Sequence, residues 1–206
     1  MHRRLRTWLL GLLFIQSFMS QGWAQNEQQI EGKKARNGKP LRFYIAVDSE
    51  GPTGVNEYWA RNLKRDSPAL ARYRQLVTDD VNAAVAGCFA GGADEVYVKD
   101  DGFRDKNLFP EKIDKRARIL PPGGPLLNGL DSSFSGVLLV GFHAMEGAMD
   151  GVLAHTWSSA RRRRYWFNDQ EGGEVVVYAI VSGHDHKVPI VMATGCAGLC
   201  REVRQL

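Results

Sequence analysis

The stretch FYIAVDSEGPTGV, residues 43–55, ends an apolar run in two carboxylates, Asp48 and Glu50, with glycine and proline directly after them. On a strand, residues i and i+2 share a face, so the two side chains converge if extended geometry persists past Val47. Asp100 and Asp101 close a second β-rich stretch, EVYVKDDG, and His143 closes a third, SGVLLVGFHA. Each signal has a plainer alternative. Asp48 ahead of Gly51-Pro52 and Asp100-Asp101-Gly102 are both good turn chemistry, and a histidine after an apolar strand is commonly a satisfied core residue. Taken together they point to a site. Ligands of open α/β sheets collect at the carboxyl ends of the strands, and carboxylate oxygens beside an imidazole nitrogen suit zinc or manganese, with a carboxylate able to bridge a pair of ions.

For these residues to meet, the strands that carry them must lie side by side and run the same way. LRFYIAV, from Leu41, is β-rich and mostly apolar, as a strand buried on both faces should be. Ser67-Pro68 offers a helix N-cap and a proline at the first helical position; Leu70, Tyr73, Val77, Val81, Ala84, Val85 and Cys88 then recur at helical spacing until Gly91-Gly92. The order strand, helix, strand implies a right-handed parallel crossover. PPGGP at 121–125 is a loop and VPIVMATG at 188–195 a later strand. This alternation predicts an α/β fold, a mainly parallel sheet with helices on both faces and the metal site at the carboxyl ends of the strands. EVVVYAIVSG, from Glu174, divides between two readings, having strand propensities where the alternation suits a helix. No internal repeat or low-complexity tract is present.

The chain has 206 residues, 44% hydrophobic and 24% charged, enough for one ordinary domain with a real core. Residues 1–24 carry Arg3, Arg4 and Arg6, an apolar stretch, then Gly22-Trp23-Ala24, the pattern of a secretory signal, so the mature protein is expected to be secreted or periplasmic. The stretch from Trp8 to Met19 is short for a membrane span, and no stable span is expected after its removal. Without the three arginines, 24 basic side chains face 23 acidic ones, a net charge of +1 in place of +4. The cluster Arg161 to Arg164 lacks an aromatic-interleaved basic surface and reads as a solvated loop, so no nucleic-acid partner is expected. Cys88, Cys196 and Cys200 are an odd number in an exported chain and exclude a disulfide scaffold; a helix at 196–200 would put the last two on one face as small buried groups. Residues 25–40 are polar and aperiodic, a flexible leader ahead of a domain at 41–206.

Three ordered segments resemble the D-aminopeptidase DppA family, the M55 metallopeptidases. VDSEGPTGV is similar to that family's opening V-D-x-E-G-x-x-G motif. GVLLVGFHAMEGAMDGVLAHTW is similar to its G-x-x-x-x-G-Y-H segment followed by G-V-x-x-H, and FNDQEGGE to its I-N-x-x-x-x-G-E segment. The similarity runs from about Leu41 to about Gly195, nearly all of the mature chain. It implies two zinc ions, with Asp48 shared between them, Glu50 a ligand of the first, and His143 and Glu174 ligands of the second. His155 matches the histidine essential for catalysis in that family, as general acid/base or as nucleophile. The implied activity is release of N-terminal residues from short peptides, including peptides with D-amino acids. Family members form ring-stacked homodecamers, which implies a homo-oligomer here.

Two departures from the family pattern stand out. Where members have Asp-Ser-His after the second strand, with the histidine completing the first zinc site, this chain has Asp100-Asp101-Gly102. Either Asp101 or Asp100 substitutes an oxygen ligand, shifting preference toward a harder metal, or the first ion is weak or absent. The sequence also stops at Leu206, short of the family's usual C-terminal extent. These departures support a second reading, a non-catalytic metal- or peptide-binding remnant, beside that of an exported zinc aminopeptidase.

Overall fold

Alternating apolar positions on both sides of the strands divide the core in two. In the first strand, β1 (Arg42–Val47), Ile45 and Val47 pack to one side with Val96, Val98, Leu138 and Val140, while Tyr44 and Ala46 pack to the other with Val137 and Leu139. A strand covered on both faces has no polar side to offer, which is why these segments read as near-continuous apolar runs. The computed structural model describes residues 38–55, 67–102, 106–158, 160–161 and 163–206. The expected signal and all but the last three residues of the expected leader lie outside the described residues.

Helix α1 (Pro68–Ala90) returns the chain from β1 to β2 (Glu95–Asp100), which pairs with β1 in parallel. The Ser67 hydroxyl caps α1 by accepting from the Leu70 amide, Pro68 sits where no amide bond is needed, and Tyr73, Val77, Val81, Val85 and Cys88 form its buried face. A short β3 (Arg118–Ile119) and the fully buried β4 (Gly136–Phe142) follow. Next come a hairpin, β5 (Tyr165–Phe167) with β6 (Gln170–Gly172), helix α2 (Glu174–Ile180), β7 (Ile190–Gly195) and helix α3 (Ala197–Val203). The main sheet is parallel, in the order β3-β2-β1-β4-β7. Helix α1 covers one face; Val175 and Tyr178 of α2, Leu199 of α3, and Leu127, Leu130 and Phe134 cover the other. The expected α/β architecture with helices on both faces is therefore the observed one. Among the described residues no helix is long and apolar enough to cross a membrane.

The structure decides the divided segment and trims one strand. EVVVYAI is helical because Val175 and Tyr178, three apart, bury one stripe against the second core, a reward that outweighs the strand propensity of three valines. A five-residue π-helical turn, Val181–Asp185, ends it, with the Ser182 hydroxyl donating to the Val188 carbonyl at 2.6 Å. Strand β7 starts at Ile190 rather than 188, since Pro189 has no amide to donate, although its carbonyl accepts from the Val137 amide at 2.9 Å. Arg164 pairs with Glu171 across the β5–β6 hairpin and is not simply solvated. Cys196 precedes α3 and Cys200 lies one turn on, and neither is disulfide-bonded.

The end of β1 is pinned to β4 through backbone alone. The amide of Asp48 donates to the Val140 carbonyl and that of Gly51 to the Gly141 carbonyl, each at 2.8 Å. A Cβ on Gly51 would lie 1.8 Å from the Phe142 carbonyl oxygen, so only glycine permits this approach. Gly51→Ala is expected to destabilise the fold by about 3 kcal/mol, lowering the melting temperature by about 6–12 °C for a chain of this size. An unchanged thermal melt would show that the two segments do not approach so closely.

Candidate metal centre

Strand order reverses at β1, whose sequence successor β2 lies on one side and β4 on the other. The crevice above such a switch point is where α/β sheets take their ligands. Here the residues beyond β1 and β4 converge on a cleft of about 300 Å³ lined by Asp48, Glu50, Asp101, His143, His155 and Glu174, with Trp157 and Tyr178 among its apolar walls. A larger groove of about 600 Å³ lies between α1 and the β4–β7 side of the sheet, but its lining is apolar apart from Thr53, Asp80 and Thr194. The chemistry belongs to the smaller cleft.

Both histidines are oriented by their own backbone surroundings. The Nδ1 of His143 lies 2.9 Å from the Ala144 carbonyl, and that of His155 lies 2.7 Å from the Leu153 carbonyl. A carbonyl only accepts, so Nδ1 carries the hydrogen in each ring and Nε2 is turned toward the carboxylates. The His143 Nε2 lies 3.5 Å from Asp48 Oδ2 and 3.5 Å from Glu174 Oε1. That of His155 lies 3.9 Å from Glu50 Oε1 and 3.8 Å from Glu174 Oε1. The two rings stack with centroids 3.9 Å apart and planes 8° from parallel. His155 is flanked by two non-glycine residues with positive φ, Leu153 at 51° and Trp157 at 59°, a strained course that the loop holds around this side chain.

The acidic residues are fixed with equal care. Asp48 Oδ1 accepts from the Ser49 amide at 2.7 Å, and the Ser49 hydroxyl donates to Glu50 Oε2 at 2.8 Å. The Tyr73 hydroxyl, reaching up from α1, donates to the Ser49 carbonyl at 2.8 Å. Glu174 opens α2, and its Oε1 accepts from the Trp157 amide at 2.7 Å, tying the His155 loop to the helix. Glu202 of α3 accepts from the Met145 amide at 3.0 Å and steadies the chain just past His143.

Electrostatically the cleft is dominated by its buried carboxylates. Burial, then the charges of Glu50 and Glu174, hold the Asp48 carboxyl well above its usual range. Asp48 Oδ2 is buried and accepts no hydrogen bond. Burial works to lower the His143 pKa, but Glu174 and Glu50 outweigh it and raise it; burial and then His143 lower that of His155. Two overlapping donor groups, Asp48-Glu50-His143 and His143-His155-Glu174, each gather their ligating atoms within 4.8 Å. Carboxylate oxygens and imidazole nitrogens in this number fit zinc or manganese, whose charge would relieve the crowding.

Six of the seven residues singled out in the sequence come to this one cleft, and the end of β2 differs from the others. Asp100 is not available as a ligand: its oxygens accept from the Asn107 amide at 2.7 Å and from Asn107 Nδ2 at 2.8 Å. Asp101 lines the cleft with Oδ1 2.8 Å from the ammonium of Lys99. Gly102 has no room for a side chain, since a Cβ there would meet Asn107 Nδ2 at 2.6 Å and the Ser49 hydroxyl at 2.9 Å. The sequence did not mark Lys99, Glu202 and Asn107 as supports of the site, and it showed Tyr73 only as part of the apolar spacing of α1. Only Lys99 carried a signal, as a lone cation in the otherwise apolar-rich EVYVKD.

A parallel α/β sheet carrying a carboxylate–imidazole cluster at its switch point defines an α/β protein with a candidate metal site. Comparison with known proteins narrows this further. The family model of the M55 peptidases, described as D-aminopeptidase, matches residues 41–206, and the chain belongs to that family. It is 29% identical over 170 residues to the D-aminopeptidase of Bacillus subtilis (strain 168), a match covering 81% of this chain and 60% of the relative. Among solved structures it is similar to the Zn-dependent D-aminopeptidase DppA from Bacillus subtilis, described as a self-compartmentalizing protease, with a TM-score of 0.72 at 29% identity, over 81% of this chain and 60% of that one. The chain thus spans about 60% of the length of the relative it matches.

Proposed function

We propose that this protein is an exported zinc-dependent aminopeptidase that releases N-terminal residues from short peptides, including those that begin with D-amino acids. The observation that carries the reading is the pair of histidines whose Nδ1 groups are held on carbonyls, so that both Nε2 atoms face Asp48, Glu50 and Glu174 at 3.5–3.9 Å. Hydrogen bonding of the far ring nitrogen is the usual way a protein orients a metal-bound imidazole. Zinc, which the relative requires, would be held by Asp48, His143 and Glu174, with Glu50 and Asp101 beside them. Bound there, it would supply Lewis acidity toward the scissile carbonyl and make water a better nucleophile at neutral pH.

The chain's own residues then do the rest. His155 carries protons between the attacking water and the departing amine at its Nε2, since Nδ1 is committed to the Leu153 carbonyl. Its stacking on His143 and the Trp157–Glu174 hydrogen bond keep that atom in place. Glu50, oriented by Ser49, offers an acceptor for the free amino group that marks a peptide's N-terminus. The exposed ring of Trp157 forms part of the wall against which the terminal residue packs, and a cleft of about 300 Å³ suits a short peptide.

Export rests on the composition of residues 1–24, and a homo-oligomer on the self-compartmentalizing relative. A second reading, a metal- or peptide-binding protein without turnover, is favoured by one feature, the closed position at Gly102. Peptide hydrolysis that a chelator stops and zinc restores is the expected result, read by mass spectrometry of the released residue. Metal retention without turnover on peptides of either stereochemistry would favour the second reading.

A further inference from the structure

We infer that Lys99 stands in for a cation at the end of β2: by pairing with Asp101 it withdraws that strand end from metal binding, so the centre holds one tight divalent ion, on His143, rather than two. The inference rests on the metal-dependent reading above, which reserves His155 for proton transfer.

Two of the three positions at the end of β2 are closed to an ion, and the third, Asp101, is balanced by Lys99. Asp100 accepts twice from Asn107, and Gly102 is closed against Asn107 and Ser49. The Lys99 side chain is 2% exposed and that of Asp101 9%, with Nζ and Oδ1 2.8 Å apart. An ammonium taken so far from water is retained only where an anion compensates it. Asp101 is that anion, so its charge is balanced within the protein while Asp48, Glu50 and Glu174 keep theirs for an ion.

The remaining donors are limited by His143. Its Nδ1 donates to the Ala144 carbonyl, which leaves a single lone pair, on Nε2. Both candidate donor groups include His143, and one lone pair serves one ion. An ion held there would be within reach of Asp48 Oδ2 and Glu174 Oε1, each 3.5 Å from Nε2. With His155 reserved, a second ion would have Glu50 and a shared oxygen of Asp48, fewer than the three protein ligands of catalytic zinc sites. Lys99 withholds Asp101, the one carboxylate of the cleft that could complete it.

The test is equilibrium dialysis of the full chain against submicromolar zinc, with bound zinc and protein quantified independently of activity. One ion per native chain is expected. In Lys99→Met, Asp101 loses the ammonium that balances its charge and becomes available beside Asp48 and Glu50, so a second ion should bind at least about tenfold more tightly than in the native chain. Lys99→Met combined with Asp101→Asn should return the count to one. Two tight ions in the native chain would overturn the inference and leave the metal centre standing, as would a folded Lys99→Met variant with no gain. If that variant fails to fold, the native count and the neutral double variant still decide. No retained zinc in the native chain would overturn this inference and the proposed function together.

Discussion

Replacing Asp48 with asparagine is expected to abolish tight metal binding while raising the melting temperature of the metal-free chain. Asp48 is 8% exposed, its Oδ2 accepts no hydrogen bond, and it shares the cleft with Glu50 and Glu174. Without metal, three carboxylates repel one another where water screens them poorly. Asparagine removes one of those charges and can still accept from the Ser49 amide, as Oδ1 does at 2.7 Å. The gain should be at least about 1 kcal/mol, which is about 2–4 °C for a chain of this size. Zinc affinity should fall by more than about 100-fold, beyond the usual cost of altering an outer-shell partner. The sign of the pH dependence follows from the raised pKa of Asp48, caused by burial and then by Glu50 and Glu174. Between the unfolded value, about 4, and the raised folded value, the folded chain holds more protons than the unfolded one, so stability is lost as pH rises through that window. Melts of chelator-treated protein should show this loss in the native chain and less of it in Asp48→Asn. A variant that keeps native zinc affinity would remove Asp48 from the ligand set; one that melts lower without metal would show that repulsion among the carboxylates does not govern the stability of the empty cleft.

His155→Ala should lower kcat/KM by about 10²–10⁴-fold, the range for loss of a positioned acid/base, with zinc content unchanged. His143→Ala, by contrast, should lose the metal. The two rings stack and meet the same Glu174 oxygen, so composition of the site cannot separate their roles. What separates them is reach: His143 Nε2 is 3.5 Å from two carboxylates, whereas His155 Nε2 is 3.8–3.9 Å from its own two and lies beside the loop that ends in Trp157. Loss of zinc in His155→Ala would make His155 a ligand and leave proton transfer without its carrier.

Much of this was legible in the sequence, for physical reasons that differ from place to place. Strands β1, β2 and β4 are buried on both faces and announce themselves as apolar runs, and α1 is written in its cap, its proline and its helical spacing. Asp48, Glu50 and His143 were visible because charge directly follows those runs. Glu174 and His155 sit on a short helix and a strained loop, where no periodicity marks them, and only family motifs located them. The β5–β6 hairpin, with three residues in each strand, is too short to give a pattern, and α2 has strand-forming valines that only the second core makes helical. At the end of β2 the sequence left Asp100 and Asp101 equivalent; Asn107, seven residues from Asp100, and Lys99, two residues from Asp101, tell them apart, and both act through side-chain contacts that spacing does not encode.

The most direct test of the account is a peptide-release assay on mature protein, using di- and tripeptides with an L- or D-residue at the N-terminus, before and after chelation and zinc return. Loss of release on chelation and recovery with zinc, absent in His155→Ala, is the expected result. Protein that holds its zinc through Asp48, His143 and Glu174 yet releases no N-terminal residue from any of these peptides would contradict it.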